Sequence, residues 1–169
     1  MLAKGFTLIE LVIVIVLISI LSSLGIGLLS GTGAYDARLA ADQWLTSLRL
    51  SQKLALLRQD ASQLLTITVT QASSEWLLSL TQGATTLNDI NIGRDRIALH
   101  TSSSDFSSVC AALPLASFPI TLYLDGYGNH VDASRVQLIA NRRFCFVASD
   151  SVELCISPSG YAYNGSCEP

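Results

Sequence analysis

The sequence predicts an α+β protein in which one long N-terminal helix precedes a head of antiparallel strands. Three patterns indicate this order. An apolar run extends from Phe6 to Leu29, and apolar residues then recur at spacings of three and four from Tyr35 to about Ala61. From Leu64 onward, apolar and polar residues alternate in short segments separated by turn residues. Helical periodicity followed only by strand periodicity is typical of segregated α+β folds.

The composition is that of a folded, mildly acidic chain with one strongly apolar segment. The 169 residues are 50% hydrophobic and 14% charged, and the net charge is −3. Disordered chains are poor in apolar residues and nucleic-acid-binding domains are basic, so both classes are disfavoured. The adjacent pair Arg142-Arg143 is too small to reverse this balance. We therefore expect no nucleic-acid partner.

The apolar run is long enough to cross a hydrocarbon core of about 30 Å as a helix. A cleaved secretory signal would have a shorter apolar region. A signal anchor explains the length and places Lys4 on the cytoplasmic side, but it gives no reason for Glu10, the one charged residue in the run. A charge inside a membrane costs at least about 2.5 kcal/mol and usually marks a function.

The segment Lys4-Gly5-Phe6-Thr7-Leu8-Ile9-Glu10 resembles the class III signal of type IV pilins and of the pseudopilins of type II secretion. The resemblance implies that a prepilin peptidase cuts between Gly5 and Phe6 and methylates the new amino terminus. It also implies assembly with other pilin subunits through the N-terminal helix, at an inner-membrane platform. Glu10 would then pair with the free amine of Phe6 from the same or a neighbouring subunit and fix the axial register of the filament.

One position departs from the pattern of that family. Many major pilins carry a proline midway along this helix, where the present chain has Gly27, with Gly25, Gly31 and Gly33 nearby. Glycine weakens a helix by about 1 kcal/mol relative to alanine. This composition permits local unwinding between Gly25 and Gly33 but predicts no defined kink.

Four segments follow from these patterns. They are a leader (1–5), a hydrophobic transmembrane and filament-core helix (6–29), its amphipathic continuation (30–61) and a β-rich periplasmic or extracellular head (62–169). A helix continuous from Phe6 to Ala61 would extend about 84 Å. Strands are predicted at 64–70, 75–80, 96–100, 120–124, 136–140, 143–148, 152–156 and 161–163, with 88–93 and 101–118 as loops.

The head also resembles the H-type pseudopilins and their minor-pilin relatives. The similar features are a strand that enters Asp125-Gly126 and the segment Ile156-Ser157-Pro158-Ser159-Gly160 before the last strand. Residues 31–35 and the cysteine-containing tail are similar to a minor pilin of mannose-sensitive haemagglutinin-type pili. These resemblances imply a low-abundance structural subunit that acts in priming or at the filament tip.

Two alternatives to that function remain open at this point. The first is the corresponding minor pseudopilin of a type II secretion system, and the second is a pilus-borne adhesin or DNA-uptake receptor. An enzyme is not expected, because the sequence contains no recognisable set of acid–base or nucleophilic residues. No cofactor is expected either.

Four cysteines in an extracytoplasmic head predict two disulfides, with three possible pairings. A hairpin that turns about Asp150 would place Cys145 opposite Cys155, which is close to disulfide reach. That interpretation leaves Cys110 to pair with Cys167, joining the long loop to the C-terminal tail.

The remaining polar candidates give weaker signals. His100 and His130 have no neighbouring ligands at metal spacing and are predicted to be surface or hydrogen-bonded histidines. Asp125, Asn129 and Asp132 bracket a turn that could hold calcium, but turn chemistry alone explains an Asp-Gly pair. The sequence therefore predicts no metal site.

Overall fold

The computed structural model describes residues 7–29, 32–58 and 62–168. The chain divides into two compact units, with the boundary between Thr32 and Gly33. The first contains helix α1 (Leu8–Leu29), and the second contains the strands and, apart from its first residue, helix α2 (Thr32–Arg58). The predicted continuity of one helix depends on residues 30 and 31, which lie outside the described residues.

Helix α1 has 22 residues and no polar face over the part whose side chains are described. From Leu8 to Ile20 every side chain is exposed. Gly25 and Gly27 both lie within the helix. Judged by length and hydropathy over the described residues, neither helix qualifies as a membrane span.

Helix α2 has 27 residues and buries one face against the head. The buried positions recur at spacings of three and four, as the sequence predicts, because that spacing places side chains on one side of a helix. They are Ala37, Ala41, Trp44, Leu48, Ser51 and Ala55, and the adjacent Ala40, Leu45 and Ser47 are buried as well.

Two antiparallel sheets complete the head, and the predicted α+β class is confirmed. In the first sheet the strand order is β3-β2-β1-β5-β6, and in the second it is β4-β7-β8-β9. The strands are β1 (Leu65–Gln71), β2 (Glu75–Gln82), β3 (Thr85–Gly93), β4 (Ala98–Ser102), β5 (Ile120–Leu124), β6 (His130–Val131), β7 (Arg142–Val147), β8 (Ser151–Ile156) and β9 (Ala162–Asn164).

Two segments of the head differ from the prediction. Residues 88–93, predicted as a loop, form most of the edge strand β3, which pairs on one side only. Asn and Asp are tolerated there because their side chains are exposed or only partly buried. Residues 136–140, predicted as a strand, form none: Val136 is 62% exposed and Ile139 98%. The place beside β5 is taken by the short strand β6 instead.

The main core lies between α2 and the two sheets, and an aromatic cluster is at its centre. The Trp44 ring centroid lies 6.0 Å from that of Trp76, 5.4 Å from Phe144 and 5.5 Å from Phe146. All four side chains are at most 1% exposed. One tryptophan of α2 therefore contacts both sheets.

The four-stranded sheet is covered on its second face as well. Phe144 and Phe146 of β7 face the main core, while Cys145 faces the other way and packs with Cys110 in a small separate cluster. A single 3-10 turn, Cys110–Ala112, supplies part of that cover. Because both faces of β7 are covered, four consecutive residues of this strand are buried.

Candidate functional site

The N-terminus of α1 is capped by reciprocal hydrogen bonds between Thr7 and Glu10. The backbone N–H of Thr7 donates to Glu10 Oε2 at 2.9 Å, and the Thr7 hydroxyl donates to the same oxygen at 3.0 Å. The Glu10 N–H donates back to Thr7 Oγ1 at 3.3 Å. This is a capping box, which satisfies backbone donors that the first helical turn cannot pair internally.

The capping box gives Glu10 a second role that the sequence analysis missed. A threonine followed three residues later by a glutamate, just before an apolar run, is a readable signature of a helix start. Glu10 is exposed in the single chain, so its carboxylate remains accessible to a partner. Gly5 and Phe6, the predicted cleavage and methylation residues, lie outside the described residues.

The head contains two disulfides, but not the predicted pairs Cys145–Cys155 and Cys110–Cys167. Cys110 is bonded to Cys145 and Cys155 to Cys167, with Cα atoms 5.5 and 5.3 Å apart. Both bonds lie on the face of the second sheet that points away from α2. They fasten the long loop to β7 and the C-terminal tail to β8.

The register of the β7–β8 hairpin explains the correction. Cys145 lies opposite Glu153, and Arg143 lies opposite Cys155. The hairpin is centred on Ser149 rather than on Asp150, which moves the two cysteines from directly opposite to diagonal positions. Diagonal neighbours in an antiparallel pair are too far apart for a disulfide.

A buried ion pair lies beside the Cys110–Cys145 bond. The Arg143 side chain is 3% exposed, and its guanidinium contacts the carboxylate of Glu153, with Nε 3.3 Å from Oε2. Arg143 Nη1 also donates to the carbonyl of Ser108 at 2.7 Å. This arginine therefore holds the long loop against β7 and is not a free cation for nucleic acid.

The same region brings together three atoms that bind metals in other contexts. The sulfurs of Cys110 and Cys145 and a carboxylate oxygen of Glu153 lie within 4.8 Å of one another. The disulfide consumes both thiolates, however, and Arg143 neutralises the carboxylate. Thiolates rather than disulfides bind metals, so this arrangement does not suit a metal ion. The disulfide and the ion pair instead cross-link the head.

His130 differs from the prediction of a surface or hydrogen-bonded histidine. Its side chain is 2% exposed, and Nδ1 has no hydrogen-bond partner within the described part of the chain. Burial lowers the pKa of His130 to about 4, with a smaller contribution from the positive charge of Arg142. The imidazole is neutral at physiological pH.

The other polar candidates form hydrogen bonds with backbone groups of the head. His100 Nδ1 lies 2.7 Å from the Leu113 carbonyl. The Asp125 carboxylate accepts from the N–H groups of Tyr127 and Asn129 at 2.9 and 2.8 Å, and that of Asp132 accepts from its own turn in the same way. These carboxylates stabilise turns, as the Asp-Gly pattern indicates.

The N-terminal segment of the chain matches a known sequence family. The family model of the prokaryotic N-terminal methylation motif matches residues 1–26. Residues 1–26 are a class III prepilin signal. No curated protein and no solved structure is significantly similar to the chain. The prepilin signal supports a type IV pilin or a pseudopilin, and the α+β architecture is consistent with the pilin fold.

The prepilin signal also has implications for processing of the chain. It implies cleavage by a prepilin peptidase and assembly with other pilins. It further suggests a membrane-anchored subunit that later enters a filament. The capping box lies inside this signal, so one short segment carries both the start of α1 and the family motif.

Proposed function

We propose that the protein is a structural, non-catalytic minor subunit of a type IV pilus. In this proposal the inner membrane holds the apolar helix, the peptidase cuts after Gly5 and methylates Phe6, and the mature chain then joins a filament. The observation that carries the proposal is a single carboxylate, Glu10, at the start of an apolar helix and in register with Gly5 and Phe6.

The chemistry of Glu10 supports assembly rather than simple anchoring. An ionised carboxylate in an apolar medium must be paired or neutralised. Thr7 supplies hydrogen bonds to this carboxylate but no positive charge. Cleavage creates an amine at Phe6, and this amine supplies the missing charge from the same or a neighbouring subunit.

The apolar surface of α1 supports a filament core. Every described side chain from Leu8 to Ile20 is exposed in the single chain. A helix that is apolar on all sides is stable only when other apolar groups surround it. The bilayer provides those groups before assembly, and neighbouring helices provide them afterwards.

A minor role is supported by the two head segments that resemble H-type pseudopilins and minor pilins. Both are tight turns: the Gly128 N–H donates to the Asp125 carbonyl at 2.9 Å, and the Gly160 N–H donates to the Ser157 carbonyl at 2.8 Å. We place the subunit in the priming or tip complex on the basis of this resemblance.

Processing is tested by mass spectrometry of the protein from its native host. Intact-mass and N-terminal peptide analysis should find a chain that begins at methylated Phe6. A chain that keeps Met1 in otherwise piliated cells would overturn the proposal, because the prepilin peptidase would not have recognised it.

Assembly is tested with Glu10→Leu, compared with Glu168→Leu as a matched control in the exposed tail. We expect Glu10→Leu to insert in the membrane but to be depleted from sheared surface filaments, while the control is incorporated normally. Equal incorporation of both variants would refute the role of Glu10. A wild-type protein that stays in the cell envelope and is absent from sheared filaments would instead identify a secretion pseudopilin.

A further inference from the structure

A groove lies at the seam between the two sheets of the head. Its volume is about 400 Å³. One wall comes from the end of β1 and the other from the start of β4. The lining includes Gln71, Arg94, Arg96, Ile97, Leu115 and Phe118.

Arg96 lines the groove, and its backbone has an unfavourable conformation. It lies in a turn in which the Ile97 N–H donates to the Arg94 carbonyl at 2.9 Å, and its φ is 58°. Left-handed backbone is costly for any residue with a Cβ, and glycine is the usual choice. Such positions are associated with functional sites.

The guanidinium of Arg96 forms no hydrogen bond or ion pair with any residue in the described ranges. A second arginine with positive φ, Arg135 (68°), differs in this respect, because its guanidinium donates to the Ser62 carbonyl. The head thus supplies a hydrogen-bond partner for the guanidinium of Arg135 but, among the described residues, none for that of Arg96.

Arg94 supplies a second, fixed cation to the same groove. Its Nη1 donates to the Ala72 carbonyl at 2.9 Å, and its guanidinium carbon lies 6.0 Å from the ring centroid of Trp76. Its buried Nε has no hydrogen-bond partner within the described residues. The exposed Arg96 therefore retains unused donors, while Arg94 adds a second positive charge.

Apart from the two arginines and Gln71 the lining side chains are apolar, and none of them is acidic. Leu115 is 66% exposed, and Phe118 is partly buried beside it. The exposed Asp95 lies between the two arginines in sequence but does not line the groove. The groove therefore presents two cations next to an exposed apolar wall, on a chain whose net charge is −3.

We propose that this groove binds an acidic peptide segment of a partner protein, in which a carboxylate side chain is adjacent to an apolar one. The planar guanidinium fork matches a carboxylate, with which it forms strong charge-assisted hydrogen bonds. Leu115 and Phe118 receive the apolar side chain. Two arginines are too few for a nucleic acid, which requires a longer basic surface.

The test uses the full chain in dodecyl maltoside micelles and the peptide Leu-Glu-Leu-Glu-Leu-amide with fluorescein on its amino terminus, with fluorescence anisotropy as the readout. We expect saturable binding that weakens as salt is added. The same peptide with both glutamates replaced by glutamine should bind at least about tenfold more weakly, which is the loss expected for one charge-assisted hydrogen bond.

Arg96→Gly separates binding from folding. It removes the guanidinium and relieves the backbone, so we expect thermal stability equal to or above wild type but affinity about tenfold lower. Arg135→Gly is the matched control, because it removes the same charge at the other left-handed arginine and should leave the affinity unchanged.

Four results would overturn the assignment. Three of them are the absence of binding at millimolar peptide, equal binding of the glutamine peptide, and wild-type affinity in Arg96→Gly. Full displacement of the peptide by 10 mM inorganic phosphate would identify a site for small anions and refute a peptide site. None of these results depends on filament assembly, so the proposed function is tested separately.

Discussion

Lowering the pH from 7 to 4 is expected to destabilise the head through His130. The pKa of this histidine is 6.5 in an unfolded chain and about 4 in the folded head, because burial disfavours the charged imidazolium. Between these two values the unfolded chain binds a proton that the folded head does not. The contribution of the neutral His130 to the free energy of unfolding is therefore complete above pH 6.5. This contribution is lost as the pH falls toward 4.

The size of the effect follows from the difference between the two pKa values, which corresponds to about 3 kcal/mol. The free energy of unfolding can be measured by urea titration in micelles at several pH values. Tryptophan fluorescence reports on the head, since Trp44 and Trp76, the only two tryptophans, are both buried in its core.

His130→Leu isolates the histidine from carboxylates that titrate in the same range. Leucine suits the site because Leu48, Leu122 and Ile156 line the small cavity beside the imidazole. We expect this variant to lose less stability than wild type between pH 6.5 and 4, by about 3 kcal/mol. Parallel pH dependence in wild type and His130→Leu would show that the buried imidazole is not responsible.

Three further changes test the packing of the head. Replacing both Cys110 and Cys145 by alanine should lower the free energy of unfolding by about 4 kcal/mol, because the disulfide closes a loop between residues 35 positions apart in sequence. An unchanged urea midpoint would contradict this pairing. Glu153→Gln removes the partner of a buried arginine and should cost about 3 kcal/mol in the same assay, so a loss below about 1 kcal/mol would argue against a buried ion pair. Gly160→Ala directs a Cβ into the Gly128 carbonyl oxygen at a positive φ and should cost more than about 2 kcal/mol, and wild-type melting of this variant would refute the close approach.

The fold class could be predicted because its signals are local. The spacing of Ala41, Trp44 and Leu48 indicates a helix, and the alternation in β1 indicates a strand with one buried face. β3 was missed because Asn88 and Gly93 are typical of turns, and nothing local distinguishes a turn from a solvated edge strand. Which strand occupies a sheet edge depends on tertiary pairing.

The site was predictable only in part for the same reason. Glu10 stands out locally, as a carboxylate at the start of an apolar run. The disulfide pairing depends on hairpin register, and displacing the centre of the turn by one residue separates Cys145 from Cys155. The environment of His130 depends on helix α2 and on strands distant in sequence. The residues next to His130 in sequence therefore do not predict its burial.

The position of the two disulfides affects how the head responds to proteases. The exposed segment 133–137 lies between Cys110 and Cys145, so one cut there leaves two pieces that a covalent bond still joins. A cut between Cys155 and Cys167, such as at the exposed Tyr161, has the same outcome. A head nicked once in either segment would migrate as a single chain on a non-reducing gel and separate only after reduction.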